Sequence, residues 1–217
     1  MKKVFLSGDS IRVGYDSCVR GMLADVAEVH YVDDNCRYAE NTLRFLHEWK
    51  SQCRLDDDVD CVHWNVGLWD CLILFDDGPL TPIDFYAHYI ERICRRMQIV
   101  FPNAKHIFAA STPVSESGWK GPKRWFRSNA DIRAYNETAC AIVTRYGMQV
   151  NDLYAALENA PESWHSDQTH YYTKDATLCL ARKVSASICE ALGIPAPEKT
   201  DEEILASVRP TIKVVGI

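Results

Sequence analysis

Two short stretches at opposite ends of the chain carry the residue types of an activated serine. The first is Gly8-Asp9-Ser10, directly after the apolar run 4–6, and the second is Asp167-Gln168-Thr169-His170. A serine hydroxyl is a poor nucleophile unless a base takes its proton, and histidine has a suitable pKa for that role. A carboxylate on the other imidazole nitrogen fixes the tautomer. Each stretch alone is also typical of an ordinary turn, but together they predict Ser10 as nucleophile, His170 as base and Asp167 as its partner.

A third stretch, residues 63–70, breaks an apolar strand with polar residues at its carboxyl end. The amide of Asn65 is placed there either to donate a hydrogen bond to a developing oxyanion or to cap a following helix.

The elements that must position these residues alternate between strand and helix patterns. Period-2 and apolar runs predict strands, and amphipathic runs predict helices, with Thr173 capping the last helix and Gly193 ending it. This alternation predicts an α/β fold with a parallel sheet covered on both faces. The predicted strands are 4–6, 26–32, 60–66, 105–110 and 148–150, and the predicted helices are 15–24, 39–53, 84–101, 129–145, a brief helix to 159, 174–192 and 202–208.

Composition excludes several classes of protein. The chain has 217 residues, 47% of them apolar, a net charge of -6 and no basic block, which argues against nucleic acid as a partner. No apolar run approaches the ~20 residues of a membrane span, and the start lacks a signal-peptide core. The nine cysteines form no Cys-x-x-Cys pair and predict free thiols in a cytoplasmic protein. The histidines show no ligand spacing, so we expect neither metal nor cofactor.

These motifs resemble those of the SGNH, or GDSL-type, hydrolases. Gly8-Asp9-Ser10 is similar to their first block and Asp167-Gln168-Thr169-His170 to their last. The resemblance implies a flavodoxin-like three-layer α/β/α sandwich with a five-stranded parallel sheet of order 2-1-3-4-5. It covers residues 1–195 and leaves 196–217 as a tail. The run 212–215 in that tail is a candidate edge strand or a contact in a homo-oligomer.

The resemblance also implies an oxyanion hole, although the middle blocks depart from the family pattern. Glu40 stands where the family has a glycine whose backbone N–H is used, and any residue except proline offers that N–H. Strict alignment places Trp69 on the family's asparagine, with Gly67 and Asp70 on its neighbours. We favour Asn65 as the donor, similar to an Asn-x-Gly-Leu arrangement in carbohydrate-deacetylating relatives. The predicted oxyanion hole is therefore the N–H groups of Ser10 and Glu40 with the side chain of Asn65.

Aromatic residues near the predicted sheet edge indicate the substrate. Flat rings beside polar groups suit sugars, although tryptophans in loops also serve packing. We expect an esterase acting on small acyl groups, chiefly acetyl, on a small-molecule or oligosaccharide ester. The alternatives are a lysophospholipase or thioesterase-like acylhydrolase, and a non-catalytic saccharide-binding protein. The predicted substrate residues are Arg12, Trp69, Trp119 and Trp125, within a wider set that includes Trp64, Trp164, Tyr171, Tyr172, Arg37 and Lys120.

Overall fold

The protein contains one all-parallel sheet with the strand order β2-β1-β3-β4-β5. The structure is a computed structural model that describes residues 1–117, 119, 124–210 and 212–215. The strands are β1 Lys2–Ser7, β2 Ala27–Tyr31, β3 Cys61–Trp64, β4 Lys105–Ala109 and β5 Gln149–Asn151. The α-helices of the described chain are α1 Ser10–Leu23, α2 Ala39–Gln52, α3 Ile83–Val100, α4 Asn129–Arg145, α5 Leu153–Leu157, α6 Lys174–Leu192 and α7 Asp201–Leu205.

Helices cover both faces of the sheet, which confirms the predicted α/β/α sandwich. Helices α1, α6 and α7 pack together, and α2, α3 and α4 form the other layer. Strand β3 is buried along its whole length, as expected for a central strand covered on both faces. Ser7 of β1 is paired with Trp64 of β3, so the chain leaves both strands at the same edge. Ser10 and Asn65 therefore emerge beside each other.

Two helix ends differ in detail from the prediction. Helix α1 begins at Ser10 rather than near residue 15, because Asp9 is its N-cap and accepts a 3.0 Å hydrogen bond from the Ile11 N–H. Thr173 occupies the N-cap position of α6, but its hydroxyl donates to the Trp164 carbonyl at 2.9 Å and makes no cap bond. Thr173 is therefore the N-cap residue, as predicted, but its side chain makes no capping hydrogen bond. Gly193 ends α6 in the left-handed conformation, φ 62°, as predicted.

The tail folds back onto its own chain. Helix α7 packs against α1, and Val215 forms a single parallel bridge with Thr173. The run 212–215 does not join the sheet, so the edge-strand interpretation is wrong, and the oligomer contact stays a prediction.

The structure also addresses the state of the cysteines and the presence of a membrane-spanning helix. All nine cysteines lie in the described chain as free thiols. No helix in that part of the chain is both long and apolar enough to cross a bilayer.

Candidate active site

Ser10, His170 and Asp167 form a continuous hydrogen-bonded chain at the carboxyl edge of the sheet. The Oγ of Ser10 lies 2.8 Å from Nε2 of His170, and Nδ1 of His170 lies 2.7 Å from Oδ2 of Asp167. This is the geometry in which an imidazole can take a proton from a hydroxyl while a carboxylate holds its other nitrogen.

The loop before α6 fixes the acid and the base relative to each other. The second oxygen of Asp167 accepts hydrogen bonds from the backbone N–H groups of Thr169, at 2.7 Å, and His170, at 2.8 Å. Burial alone would raise the pKa of Asp167, but the hydrogen bonds from the His170 side chain and these two amides outweigh it and hold that pKa below its usual value. The carboxylate is therefore ionised when it faces the imidazole.

Ser10 sits on a tight turn that has no room for a side chain at position 8. A Cβ on Gly8 would lie 1.9 Å from Oδ1 of Asn65, far inside contact distance. Because Gly8 carries no Cβ, the chain can bring Ser10 and Asn65 to one place. As the first residue of α1, Ser10 has a backbone N–H with no acceptor in the described chain. This N–H is therefore available to donate a hydrogen bond to an acceptor bound beside the hydroxyl.

Asn65 lies beside this donor and does not cap a helix. It is buried at the end of β3, and its N–H donates to the Ser7 carbonyl at 3.2 Å. Burial raises the pKa of Asp9, while a hydrogen bond from the Asn65 side chain opposes that rise. Asp9 is thus the N-cap of α1 and lies close enough to Asn65 to be influenced by its side chain.

Glu40 lies in the first turn of α2, and its side chain lies beside Tyr89. Its backbone N–H has no acceptor within the described residues. The preceding N–H, of Ala39, donates to both oxygens of the buried Asp70 at 3.1 and 3.2 Å. Burial raises the pKa of Asp70 to about 7. Asp70 thereby anchors the helix end that carries the Glu40 N–H.

A cavity of about 400 Å³ opens beside the serine. Trp69 and Trp125 meet edge to face on its wall, with ring centroids 6.4 Å apart. The Trp125 side chain is 61% exposed. Its backbone has a positive φ of 56°, a conformation that residues other than glycine rarely adopt. The other lining residues are Ser10, Arg127, Asp167, Gln168, Thr169 and His170.

Sequence reasoning did not single out Arg127 or Tyr172 for the roles that the structure gives them. Arg127 reaches this cavity from the long loop before α4, where it is one of several basic residues without a spacing that predicts a site. Tyr172 stacks on the His170 ring. The only signal in the sequence for this role is that Tyr172 lies two residues after His170.

The structure places several predicted substrate residues elsewhere. Arg12 is fully buried and ion-paired to Asp16, so it braces the protein interior and is not a substrate contact, which corrects the prediction. Its Nη1 and Nη2 groups also donate to the carbonyls of Val32, Gly8 and Asp34, whereas its Nε has no partner among the described residues. Trp64 is also fully buried, against Phe108 in the core.

Other members of the predicted substrate set lie outside the cavity lining. Trp119 packs edge to face on Phe126, 5.2 Å between centroids. Arg37 is paired with Asp34 at 3.9 Å. Lys120 lies outside the described residues.

Comparison with known proteins identifies the fold. No protein-family model matches the sequence, and no curated protein does. Solved structures do: a lipase/acylhydrolase from Enterococcus faecalis has 18% identity and a TM-score of 0.68, covering 92% of this chain and 100% of its own. An acetyl xylan esterase, AlAXEase, has 17% identity and a TM-score of 0.67, covering 86% and 99%. An acetylxylan esterase from Geobacillus stearothermophilus has 15% identity and a TM-score of 0.66, covering 92% and 97%. The chain therefore has the fold of the SGNH, or GDSL-type, hydrolases.

Proposed function

We propose that this protein is a serine esterase that removes small acyl groups, chiefly acetyl, from carbohydrates. The observation that carries the proposal is the hydrogen-bonded chain from Ser10 through His170 to Asp167, with contacts of 2.8 and 2.7 Å. It supplies a nucleophile, a base and an orienting carboxylate in the order that acyl transfer needs.

The reaction takes two steps. Oγ of Ser10 attacks the ester carbonyl carbon while Nε2 of His170 takes the hydroxyl proton. The proton then passes to the departing sugar oxygen as the C–O bond breaks. A water molecule attacks the acyl-enzyme, gives a proton to His170, and the carboxylic acid leaves as Ser10 recovers its proton. The negative oxygen of each tetrahedral intermediate is held by the N–H groups of Ser10 and Glu40 and by the Asn65 amide.

Two observations support a carbohydrate substrate. The cavity wall presents the indoles of Trp69 and Trp125, flat surfaces that suit sugar rings. Two of the similar structures are described as acetyl xylan esterases.

A lipase/acylhydrolase among the similar structures supports the second candidate, an enzyme for longer acyl chains. Relative rates on aryl esters of increasing chain length separate the two. A preference for acetyl supports the first candidate, and a preference for long chains supports the second.

The test is acetate release from a panel of acetylated oligosaccharides, with Ser10→Ala and His170→Ala as controls. Each variant is expected to lose at least about three orders of magnitude in kcat. A fluorophosphonate probe should label the wild type and not Ser10→Ala, because only an activated serine reacts. An unlabelled wild type that still binds saccharides would make it a binding protein.

A further inference from the structure

Arg127 presents unused hydrogen-bond donors to the cavity that contains Ser10. Its Nε donates to the Leu68 carbonyl, and its Nη1 lies 3.3 Å from Oγ1 of Thr169. A guanidinium has five N–H donors, so these two bonds leave three unassigned, including both on Nη2. The bonds also fix the orientation of the group, since they tie it to the loops on either side of the cavity.

The charge of Arg127 has no ion-pair partner among the described residues. The acids that face it are Asp9 and Asp167, and both are engaged elsewhere, Asp9 with the Ile11 N–H and Asp167 with His170. Arg127 is half-buried, and burial lowers its pKa. A partly desolvated charge without a close counter-ion is costly, and an anion entering the cavity would offset that cost.

We propose that Arg127 binds an anionic group of the substrate, so that the preferred substrates are acetyl esters of acidic sugars. This inference rests on the proposed esterase function and names its substrate class. The anion is a carboxylate or a phosphate borne by the sugar, because both present paired oxygens to a guanidinium. Trp69 and Trp125 then hold the ring while Arg127 fixes the end that carries the charge.

The experiment compares kcat/KM for three acetylated sugars with the same ester position: a neutral hexose, the corresponding hexuronate and the corresponding hexose phosphate. For the wild type, at least one anionic ester is expected to exceed the neutral one by about 10- to 100-fold, the value of one charge-assisted hydrogen bond. Whichever of the hexuronate and hexose phosphate esters has the higher kcat/KM identifies the anion as a carboxylate or a phosphate. Added salt should reduce the gain.

Arg127→Gln should reduce the ratio of kcat/KM for the anionic ester to kcat/KM for the neutral ester to near one. Loss of the contacts with Leu68 and Thr169 can lower both rates, but it affects the two substrates equally and leaves this ratio unchanged. Arg127→Lys, which keeps the charge, should retain part of the ratio. The matched control is Arg124→Gln in the same loop; Arg124 is exposed and stacks over Phe75 at 5.6 Å, and its removal should leave the ratio unchanged.

The outcomes separate this inference from the proposed function. If the wild type hydrolyses none of the three esters and resists the fluorophosphonate probe, the esterase proposal fails. If all three are hydrolysed with similar kcat/KM, or if Arg127→Gln keeps the wild-type ratio, the esterase stands and the role of Arg127 is overturned. Binding of the acidic esters to Ser10→Ala, followed by tryptophan fluorescence, tests the same contact without turnover.

Discussion

The aromatic ring of Tyr172 lies nearly parallel to the imidazole of His170, with centroids 4.8 Å apart and planes inclined by 24°. The Tyr172 hydroxyl donates to the Ser10 carbonyl at 2.6 Å. On α1, Gly14 leaves space for this ring, since a Cβ there would lie 2.4 Å from its Cε1. The backbone of Tyr172 also accepts a 2.7 Å hydrogen bond from Val215. Tyr172 thus holds the base of the proposed triad against the helix that carries the nucleophile.

Replacing Tyr172 tests this positioning role. Tyr172→Leu removes the stacking surface and should lower kcat by about tenfold or more, because small displacements of a catalytic group are costly. Tyr172→Phe keeps the ring and should lose less. Steady-state kinetics across pH are the measurement, since a displaced imidazole alters the pH profile as well as the rate. A Leu variant with the wild-type kcat and pH profile would show that the stacking has no functional role.

The oxyanion hole proposed above can be dissected one donor at a time. Asn65→Ala should lower kcat by about 10²–10³. Glu40→Pro removes a backbone N–H in the first turn of α2, where proline is tolerated, and should cause a loss of the same order. Glu40→Ala is the matched control, because it keeps the N–H and should stay close to wild type. Equal rates for Glu40→Pro and Glu40→Ala would remove Glu40 from the oxyanion hole.

Arg209 ties the tail to α1, and its removal should destabilise the fold. Its guanidinium contacts Asp16 at 2.9 and 2.6 Å and Asp33 at 3.0 Å. Because Asp16 is fully buried, Arg209→Ala should cost about 2–4 kcal/mol in the free energy of unfolding. Urea unfolding measures it. Arg182→Ala breaks the exposed pair with Asp201 and should cost about 0–1 kcal/mol. Equal losses in the two variants would contradict the assignment.

The buried Asp70 should make stability depend on pH. Its pKa is raised from 3.8 to about 7 in the folded protein, so its stabilising contribution is full below 3.8 and is lost as pH rises toward 7. Burial lowers the pKa of His63 from 6.5 to about 3, so its contribution is full above 6.5 and is lost as pH falls. The two slopes oppose each other between these limits.

Asp70→Asn should therefore gain stability relative to wild type as pH increases from about 4 to 7, by about 1.4 kcal/mol per pH unit. The measurement is the free energy of urea unfolding at several pH values in this range. Asp84→Asn, at an exposed carboxylate in the first turn of α3, is the control and should run parallel to wild type. A constant difference between Asp70→Asn and wild type would contradict the raised pKa.

The positions of most strands and helices were accessible from the sequence because their signals are local, whereas the strand order came from the family resemblance. Apolar runs such as 4–6 define buried strands, and Gly193 marks a helix end by its conformational preference. The pairing of Gly8-Asp9-Ser10 with the segment 167–170 placed three side chains at one edge, where the structure has them.

Residues whose roles depend on partners distant in sequence were not predictable. The charge and position of Arg12 indicated an exposed ligand contact, whereas the carbonyls of Val32 and Asp34, from a distant segment, hold it in the interior. Arg127 gave no periodic signal, and only the tertiary structure brings it to Ser10. Thr173 has a good capping side chain, but the Trp164 carbonyl competes for its hydroxyl. In each case a tertiary contact prevailed over the local preference.

The close approach of Gly8 to Asn65 also limits how this pocket can be redesigned. Any residue larger than glycine at position 8 would push the Asn65 amide out of place, so a library aimed at bulkier acyl groups has no useful diversity there. Trp69 and Trp125 face the same cavity from loops and leave that turn untouched. Engineering toward new esters should therefore start from the two indoles.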